Sequence, residues 1–334
     1  MIKKKLIYIS FGLFLLTASW FCIFAMIEKK NSNQEYEELF SRHYRIFTPK
    51  IPEQVDFAGE KTPLDRFYVR ESLEREIFIN TYMHASTILM FKRANRWFPV
   101  IEPILKKNAI PDDFKFLAIA ESNLLNTVSS SGAEGFWQFL KPTAQNYGLE
   151  ITEEVDERYN VEKATEAACK YFQEAYARFN SWTLVAASFN RGLEGVERAI
   201  EKQKVNSYYD LYLVDETARY VYRIMAMKEI YNHPARYGYF LRESEFYPPV
   251  PVYSLVIDSA INDLPAFAFK LKVNYRVLRD FNPWIRRYNL PNKSGKKYII
   301  YLPKEGATNY ESLINKTSRS EYFFHDTLKI NQIH

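Results

Sequence analysis

The sequence predicts a mainly α-helical protein with a small α+β module near its C-terminal end. Between residues 64 and 232 apolar side chains recur at spacings of three and four, the period of a helix buried on one face. Ser181–Ala187 is apolar almost throughout, which marks a central, fully buried helix. From Val252 to Leu302 a strand pattern, two short amphipathic pieces and a second strand pattern follow one another within about fifty residues. The 334 residues allow about two domains. A hydrophobic content of 47%, with 16% aromatic, is enough for a sizeable core, and most of the 25 Tyr and 25 Phe are read as packing. The net charge of +5, with both signs mixed throughout, gives no basic patch of the kind that binds nucleic acid.

Residues 1–30 read as a targeting segment. Lys3-Lys4-Lys5 precede an uncharged run, Leu6–Ile27, closed by Glu28-Lys29-Lys30. The run can span ~30 Å of hydrocarbon as a helix, and it exceeds the ~7–15 residues of a signal-peptide core. The lysines place the N-terminus in the cytoplasm and the rest of the chain outside it. A single membrane anchor is the first reading; cleavage of a signal peptide near Thr17-Ala18-Ser19 is the alternative. Trp20 and Phe21 are too bulky before Cys22 for a lipid-attachment site. Residues 31–63 read as a polar spacer interrupted by Pro49, Pro52 and Pro63. Leu73, Ile77, Tyr82, Ile88, Met90 and Phe91 then mark helices that pack against the segment beginning at Ile110.

Cys169 is left without an exported partner, so the cysteines do not report the compartment. The five histidines, His43, His84, His233, His325 and His334, have no metal-ligand spacing. No metal and no organic cofactor are expected.

The stretch from Ile110 to Glu150 carries the chemistry. A helix opens at Pro111, with Asp112 and Asp113 at its positive end. Phe114, Leu117, Ala118 and Glu121 share one face, and burial there would raise the glutamate's pKa. Glu121 is therefore a candidate general acid, although a Glu-Ser pair at a helix end is by itself more often a solvated terminus. Ser129–Ala133 reads as a loop, with Glu134 expected in an exposed, mobile segment, and Gly135–Phe139 gathers aromatics around Gln138.

Taken together, this string resembles the lytic transglycosylase domain of bacterial cell-wall enzymes, a relative of goose-type lysozyme, and within it the membrane-bound murein transglycosylase D type. In that family a Glu-Ser motif carries the catalytic acid and a Gly-x-x-Gln motif follows a Gly-Ala loop; here these are Glu121-Ser122 and Gly135–Gln138. The family's Ala-Tyr-Asn motif is matched at Asn190 and departs at Phe189. Its Glu-Thr-x-x-Tyr-Val motif is reproduced by Glu216–Val221. The resemblance implies a lysozyme-like helical catalytic domain over residues 64–232, with Glu121 catalytic. Ser122, Gly135, Gln138, Phe139, Asn190 and Tyr220 would contact the substrate, and Glu216 would support them from behind. It also implies that Tyr220 hydrogen-bonds near Glu121. The substrate would be the glycan strand of peptidoglycan, cleaved at the MurNAc-GlcNAc bond without water to leave 1,6-anhydro-MurNAc ends. Ser122 is no nucleophile here, because no His-Asp pair is placed to activate it. Two alternatives stay open: a lysozyme-type hydrolase on the same fold, and a catalytically weak wall-binding or scaffold protein.

Residues 233–250 read as a proline-rich, aromatic linker. Residues 251–304 resemble a LysM module, a peptidoglycan-binding unit, on the strength of Phe281-Asn282-Pro283 and Tyr301-Leu302-Pro303. The usual Gly-Asp-Thr after the first strand is replaced by Asp258–Asn262, so sugar binding there is less secure than the fold. Residues 305–334 read as a loosely ordered polar tail. The expected location is the cell envelope, on the exported side of the membrane.

Overall fold

The computed structural model describes residues 46–316 and, ahead of them, only the isolated positions 17, 19, 20, 34, 37 and 38. The expected anchor, Leu6–Ile27, therefore lies almost wholly outside the described residues, as does the tail beyond residue 316. Among the described residues no helix is long and apolar enough to cross a membrane. The chain divides into a unit Met1–Thr48 and a second unit from Pro49 onward. The second unit holds the helical body and the C-terminal module.

That unit begins in the stretch expected to be a spacer, and the expectation fails from Ile51 on. Strands β1 (Asp56–Phe57) and β2 (Glu60–Lys61) form a hairpin whose turn residues, Ala58 and Gly59, both have positive φ. Phe57 is fully buried against Phe114, with ring centroids 5.2 Å apart. The Glu60 carboxylate accepts hydrogen bonds from the backbone N–H groups of Trp182 and Thr183 and from the hydroxyls of Ser181 and Thr183. It thus satisfies the open N–H groups at the start of a helix more than a hundred residues away, where its charge also suits the helix dipole.

Helices α1 (Phe67–Tyr82) and α2 (His84–Lys107) follow, broken only at Met83. The next helix starts later than the sequence suggests. Pro111 is extended, Asp112–Phe114 is a single 3-10 turn, and α3 runs over Lys115–Ser122. Asp113 does not serve that helix; it accepts from Ala58 N and from Lys228 Nζ, each at 2.6 Å. Asn123 and Leu124, both left-handed, end α3. Helices α4 (Lys141–Asn146), α5 (Val161–Phe179), α6 (Trp182–Arg191), α7 (Leu193–Gln203) and α8 (Asp215–Asn232) complete the helical body. α8 packs on α1, α3 and α6, and α5 packs on α2 and α6.

The segment read as a linker is part of this body. Tyr237, Tyr239, Leu241 and Phe246 are buried in the same core. The Tyr239 hydroxyl donates to Thr81 O, and Asn95 and Arg96 donate to the carbonyls of Tyr247 and Pro248 at 3.0 and 3.1 Å. These aromatic and aliphatic side chains bury too much apolar surface for a free connector.

The C-terminal module is an antiparallel pair, β3 (Val252–Ile257) and β4 (Tyr298–Pro303), in register from Val252↔Pro303 to Ile257↔Tyr298. Helices α9 (Leu264–Lys270) and α10 (Tyr275–Phe281) lie between the strands in sequence. The asparagine of Phe281-Asn282-Pro283 ties the end of α10 to β4. It is fully buried, donates to Leu278 O and Tyr301 O, and accepts from Tyr301 N. The first part of the expected tail is also structured, as α11 (Tyr310–Lys316) with Leu313 buried.

Candidate active site

Glu121 sits in the last turn of α3, where α3 packs on α8. Tyr220, buried in the second turn of α8, donates its hydroxyl to Glu121 Oε1 at 2.5 Å. The residue as a whole keeps some surface, while its carboxyl group is closely surrounded by protein. That desolvation raises the carboxyl pKa to about 7, and the negative charge of Glu216 pushes the same way. The Tyr220 hydrogen bond and the charge of Arg223 pull it down without cancelling the effect. Burial also holds the Tyr220 phenol well above its usual range, so it stays a donor. Glu121 opens onto a cavity of ≈ 290 Å³ lined in part by Asn80, Ser86, Thr87, Asn123 and Thr127.

Asn190 stands near the C-terminal end of α6 and is held from both sides of its amide. Its Oδ1 accepts from the Thr217 hydroxyl at 2.7 Å, and its Nδ2 donates to Glu216 Oε1 at 3.3 Å. Glu216 and Thr217 lie in the first turn of α8, one helical turn before Tyr220. Packing of α3, α6 and α8 thus links Asn190, Glu216 and Tyr220 to Glu121, from parts of the sequence up to 99 residues apart.

Ser122, Gly135, Gln138 and Phe139, expected to contact the sugar, are also bound into the protein itself, and Ser122 lines the cavity beside Glu121. The Ser122 hydroxyl lies 2.8 Å from Phe136 O and 3.1 Å from Ala118 O, joining the end of α3 to the loop after it. Gly135 has φ +81°, and a Cβ on it would lie 2.1 Å from Arg158 O. Only glycine fits so close an approach. Gln138 also has positive φ, and its side-chain nitrogen is turned onto Gly135 O and Thr127 O at 2.8 and 3.0 Å. Phe139 is buried edge-on to Phe189, with centroids 5.5 Å apart. These four build the loop beside Glu121.

Phe189, where the resemblance calls for tyrosine, packs within 5.2–6.2 Å of Trp137, Phe139, Tyr171 and Phe172. The ring fills an aromatic cluster in which no hydroxyl is needed for packing. Glu134 corrects another expectation: it is not an exposed loop residue. Its side chain is 21% exposed and pairs with Arg158 at 3.0 Å, and its backbone bridges to Val128 and Phe139.

Four participants do not stand out in the sequence pattern. Thr217 lies inside the Glu216–Val221 motif, where it carries no obvious chemistry of its own. Arg223 falls three residues after Tyr220 and seven after Glu216, on the same stripe of α8, so helical spacing is the signal that points to it. Arg158 and Glu76 have no local signal. Glu76 on α1 is fully buried and accepts from Arg219 Nε of α8 at 2.7 Å. Among the described residues no group of three or more His, Cys, Asp or Glu side chains is placed to hold a metal ion.

A buried carboxyl with a raised pKa, held by a neutral phenol at the edge of a cavity in a helical body, suits proton transfer to a substrate. The comparisons with known proteins agree in class. Residues 98–211 match the family described as the transglycosylase SLT domain, and residues 253–306 match the soluble lytic transglycosylase C-terminal LysM-like domain. The chain therefore carries a transglycosylase SLT domain followed by a LysM-like domain. Over 254 residues it is 28% identical to the membrane-bound lytic murein transglycosylase D of Escherichia coli K12, covering 73% of this chain and 54% of that one. The protein of the same name from E. coli O6:H1 strain CFT073 matches to the same extent. The chain spans about half the length of the curated relatives it matches.

Proposed function

We propose that this protein is a lytic transglycosylase of the bacterial cell envelope, cleaving the MurNAc-GlcNAc bond of peptidoglycan without water. The observation that carries the reading is the Glu121–Tyr220 pair. A carboxyl with a pKa near 7 holds a proton to give at neutral pH and becomes a competent base once it has given it. Glu121 donates its proton to the glycosidic oxygen, and the GlcNAc side leaves as an alcohol. The substrate's own N-acetyl oxygen stabilises the positive charge at the MurNAc carbon. Glu121 then takes the proton of the MurNAc C6 hydroxyl, whose oxygen closes the 1,6-anhydro ring, and the acid is restored. Asn190 and Gln138 act on the site's framework, and Tyr220 orients the carboxyl between its two roles.

Direct hydrolysis normally uses a second carboxyl group ~5–9.5 Å from the first. Glu134 is taken up by Arg158. Glu216 is exposed and engaged by Asn190 at the positive end of α8, where a structural carboxylate is favoured. That leaves the intramolecular C6 hydroxyl as the favoured nucleophile. Mass spectrometry of products from purified sacculi tests this: products ending in 1,6-anhydro-MurNAc, lighter by one water than lysozyme products, are expected. Reducing-end MurNAc as the main product would replace the reading with a hydrolase.

The likeness to the membrane-bound E. coli transglycosylases and the Leu6–Ile27 run together support attachment to the membrane, with residues from 31 onward on the exported side. Such attachment survives a high-salt wash of the membrane fraction, because insertion of an apolar segment is not screened by ions. A mature N-terminus near Trp20 or Met26 would show cleavage instead.

A further inference from the structure

The C-terminal module packs on the segment that braces the loop beside Glu121. The connecting piece is residues 150–162, which run between the loop carrying Gly135 and the module. On the module's side, Asp156 N donates to Trp284 O at 2.8 Å, Arg286 N donates to Glu154 O at 2.6 Å, and Val155 bridges to Ile285. Val155 and Tyr159 are buried in the module's own core, among Ile261, Leu264, Trp284 and Tyr298. The Arg286 guanidinium lies 4.0 Å over the Tyr159 ring. Tyr298 and Tyr301 donate to Glu150 and Glu162 at 2.8 and 2.6 Å.

On the other side the same piece grips the active-site loop through one side chain. Arg158 holds Asp156 with two hydrogen bonds, at 3.0 and 2.6 Å, which fixes its guanidinium plane. The same fork also reaches Glu134 at 3.0 Å, Phe139 O at 3.2 Å and Gly132 O at 3.3 Å. Burial raises the Tyr159 phenol to about 12, and the Glu134 carboxylate beside it pushes the same way. The backbone of Arg158 abuts Gly135 so closely that no Cβ fits. The loop in turn meets Glu121's neighbour, because Ser122 Oγ bonds Phe136 O.

We infer that the LysM-like module positions the Gly135–Phe139 loop beside Glu121 through Arg158, and so contributes to cleavage itself as well as to any attachment to the wall. Arg158 is a positioning residue in this scheme; it acts on the loop, not on the sugar. The catalytic part of the inference rests on the function proposed above, and the positioning part does not. A purely wall-binding module would raise the local concentration of polymer and leave turnover of short soluble glycans untouched. A positioning module changes turnover wherever the substrate comes from, since displacing a loop by about 1 Å can cost on the order of a hundredfold.

The test uses the full chain in two variants that leave the loop and Arg158 unaltered. One is the mild pair Arg286→Ala with Tyr301→Phe; the other is Ile285→Asp, which puts a charge into the shared core. Hydrogen exchange is read at Glu134 N and Gly135 N, which donate to Phe139 O and Thr127 O. Turnover is read on a short, peptide-free soluble glycan. The expected result is exchange at these two amides at least about tenfold faster, with α8 protection retained. It comes with a kcat loss of roughly tenfold or more and a KM within about twofold. Wild-type exchange at the loop and wild-type kcat in both variants would overturn the inference. A wild-type protein inactive on glycans would sink the proposed function, while the exchange result would still decide the positioning role.

Discussion

Helix α8 packs against Glu121 on α3 and against Glu76 on α1, and it offers them different partners. Glu121 receives a neutral phenol, Tyr220, at 2.5 Å. Glu76 receives a guanidinium, Arg219, at 2.7 Å, with Arg223 3.8 Å from its other oxygen. Tyr220 directly follows Arg219 in sequence, so two neighbouring residues of one helix serve two sites about 100° apart around its axis. The difference teaches how burial is put to use. A carboxylate buried with a cation becomes a fixed ion pair that locks two helices. A carboxyl buried with only a hydroxyl keeps a high proton affinity, and with it the capacity to give a proton away.

Exchanging the two carboxyls for neutral side chains should give opposite outcomes. Glu121→Gln is expected to lower glycan cleavage on the order of 100–10,000-fold, since no proton can be donated. Its stability should not fall. The folded-state pKa of Glu121, about 7, lies above the ordinary value of 4.5, so this group's contribution to stability is complete below pH 4.5 and is lost as pH rises through 7. Thermal unfolding should therefore show the Gln variant gaining on the wild type at pH 8 and not at pH 4. Activity within about tenfold of wild type would remove Glu121 from its role.

Glu76→Gln should do the reverse. It removes the close partner of Arg219 and leaves it only Asp215 at 3.6 Å, which costs about 1.5–3 kcal/mol, the usual worth of a hydrogen bond to a charged group. Turnover of the folded protein should stay within about threefold. If stability is unchanged while turnover collapses, the two carboxylates are not divided in the way described.

Tyr220→Phe is the next smaller change. Losing a hydrogen bond to a carboxyl removes about 1.5–3 kcal/mol, hence roughly ten- to a hundredfold in rate if the bond is needed to orient Glu121. Because that bond lowers the Glu121 pKa, the alkaline limb of the pH–rate profile should move to higher pH. A limb that stays in place would mean that Glu121 is not the group titrating.

The smallest effects are the most specific. Glu216→Gln removes a negative charge that raises the Glu121 pKa, so the alkaline limb should shift to lower pH, while Arg223→Met should shift it to higher pH. The two displacements must be opposite in sign. Shifts in the same direction would show that they act through the backbone of α8 instead of through charge.

Much of the molecule is legible in its residues, and the parts that are not share a common character. The helical body and the paired strands of the C-terminal module follow from periodicities, and the pairing of Glu121 with Tyr220 is what the family resemblance of their motifs implies. The hairpin at Asp56–Lys61 is not legible, because its reason for being is Phe57 filling a gap beside Phe114 and Glu60 capping a helix that starts at Trp182. Residues 233–250 read as a linker because prolines and aromatics are judged locally, while Tyr239 packs on α1 and α2 and Tyr237 bonds to α8. Glu134 looks exposed between Ala133 and Gly135, and only Arg158, far along the chain, makes it a structural anion. For the same reason Gly135 and Phe139 read as sugar contacts, although both are spent on close packing.

The sequence by itself determined the helical period of residues 64–232, the strand–helix–helix–strand order of the module, and a glutamate on an apolar helical face just before Ser122. These are local properties, fixed by which side chains recur on one face and which residues stop a helix. Only the tertiary structure decided that the face meets Tyr220, that Glu216 and Arg223 act on the same carboxyl with opposite sign, and that Glu76 is an ion pair. A carboxyl's proton affinity depends on which groups lie within a few ångströms of it and on how much water they displace. Neither quantity exists until α3, α6 and α8 have packed.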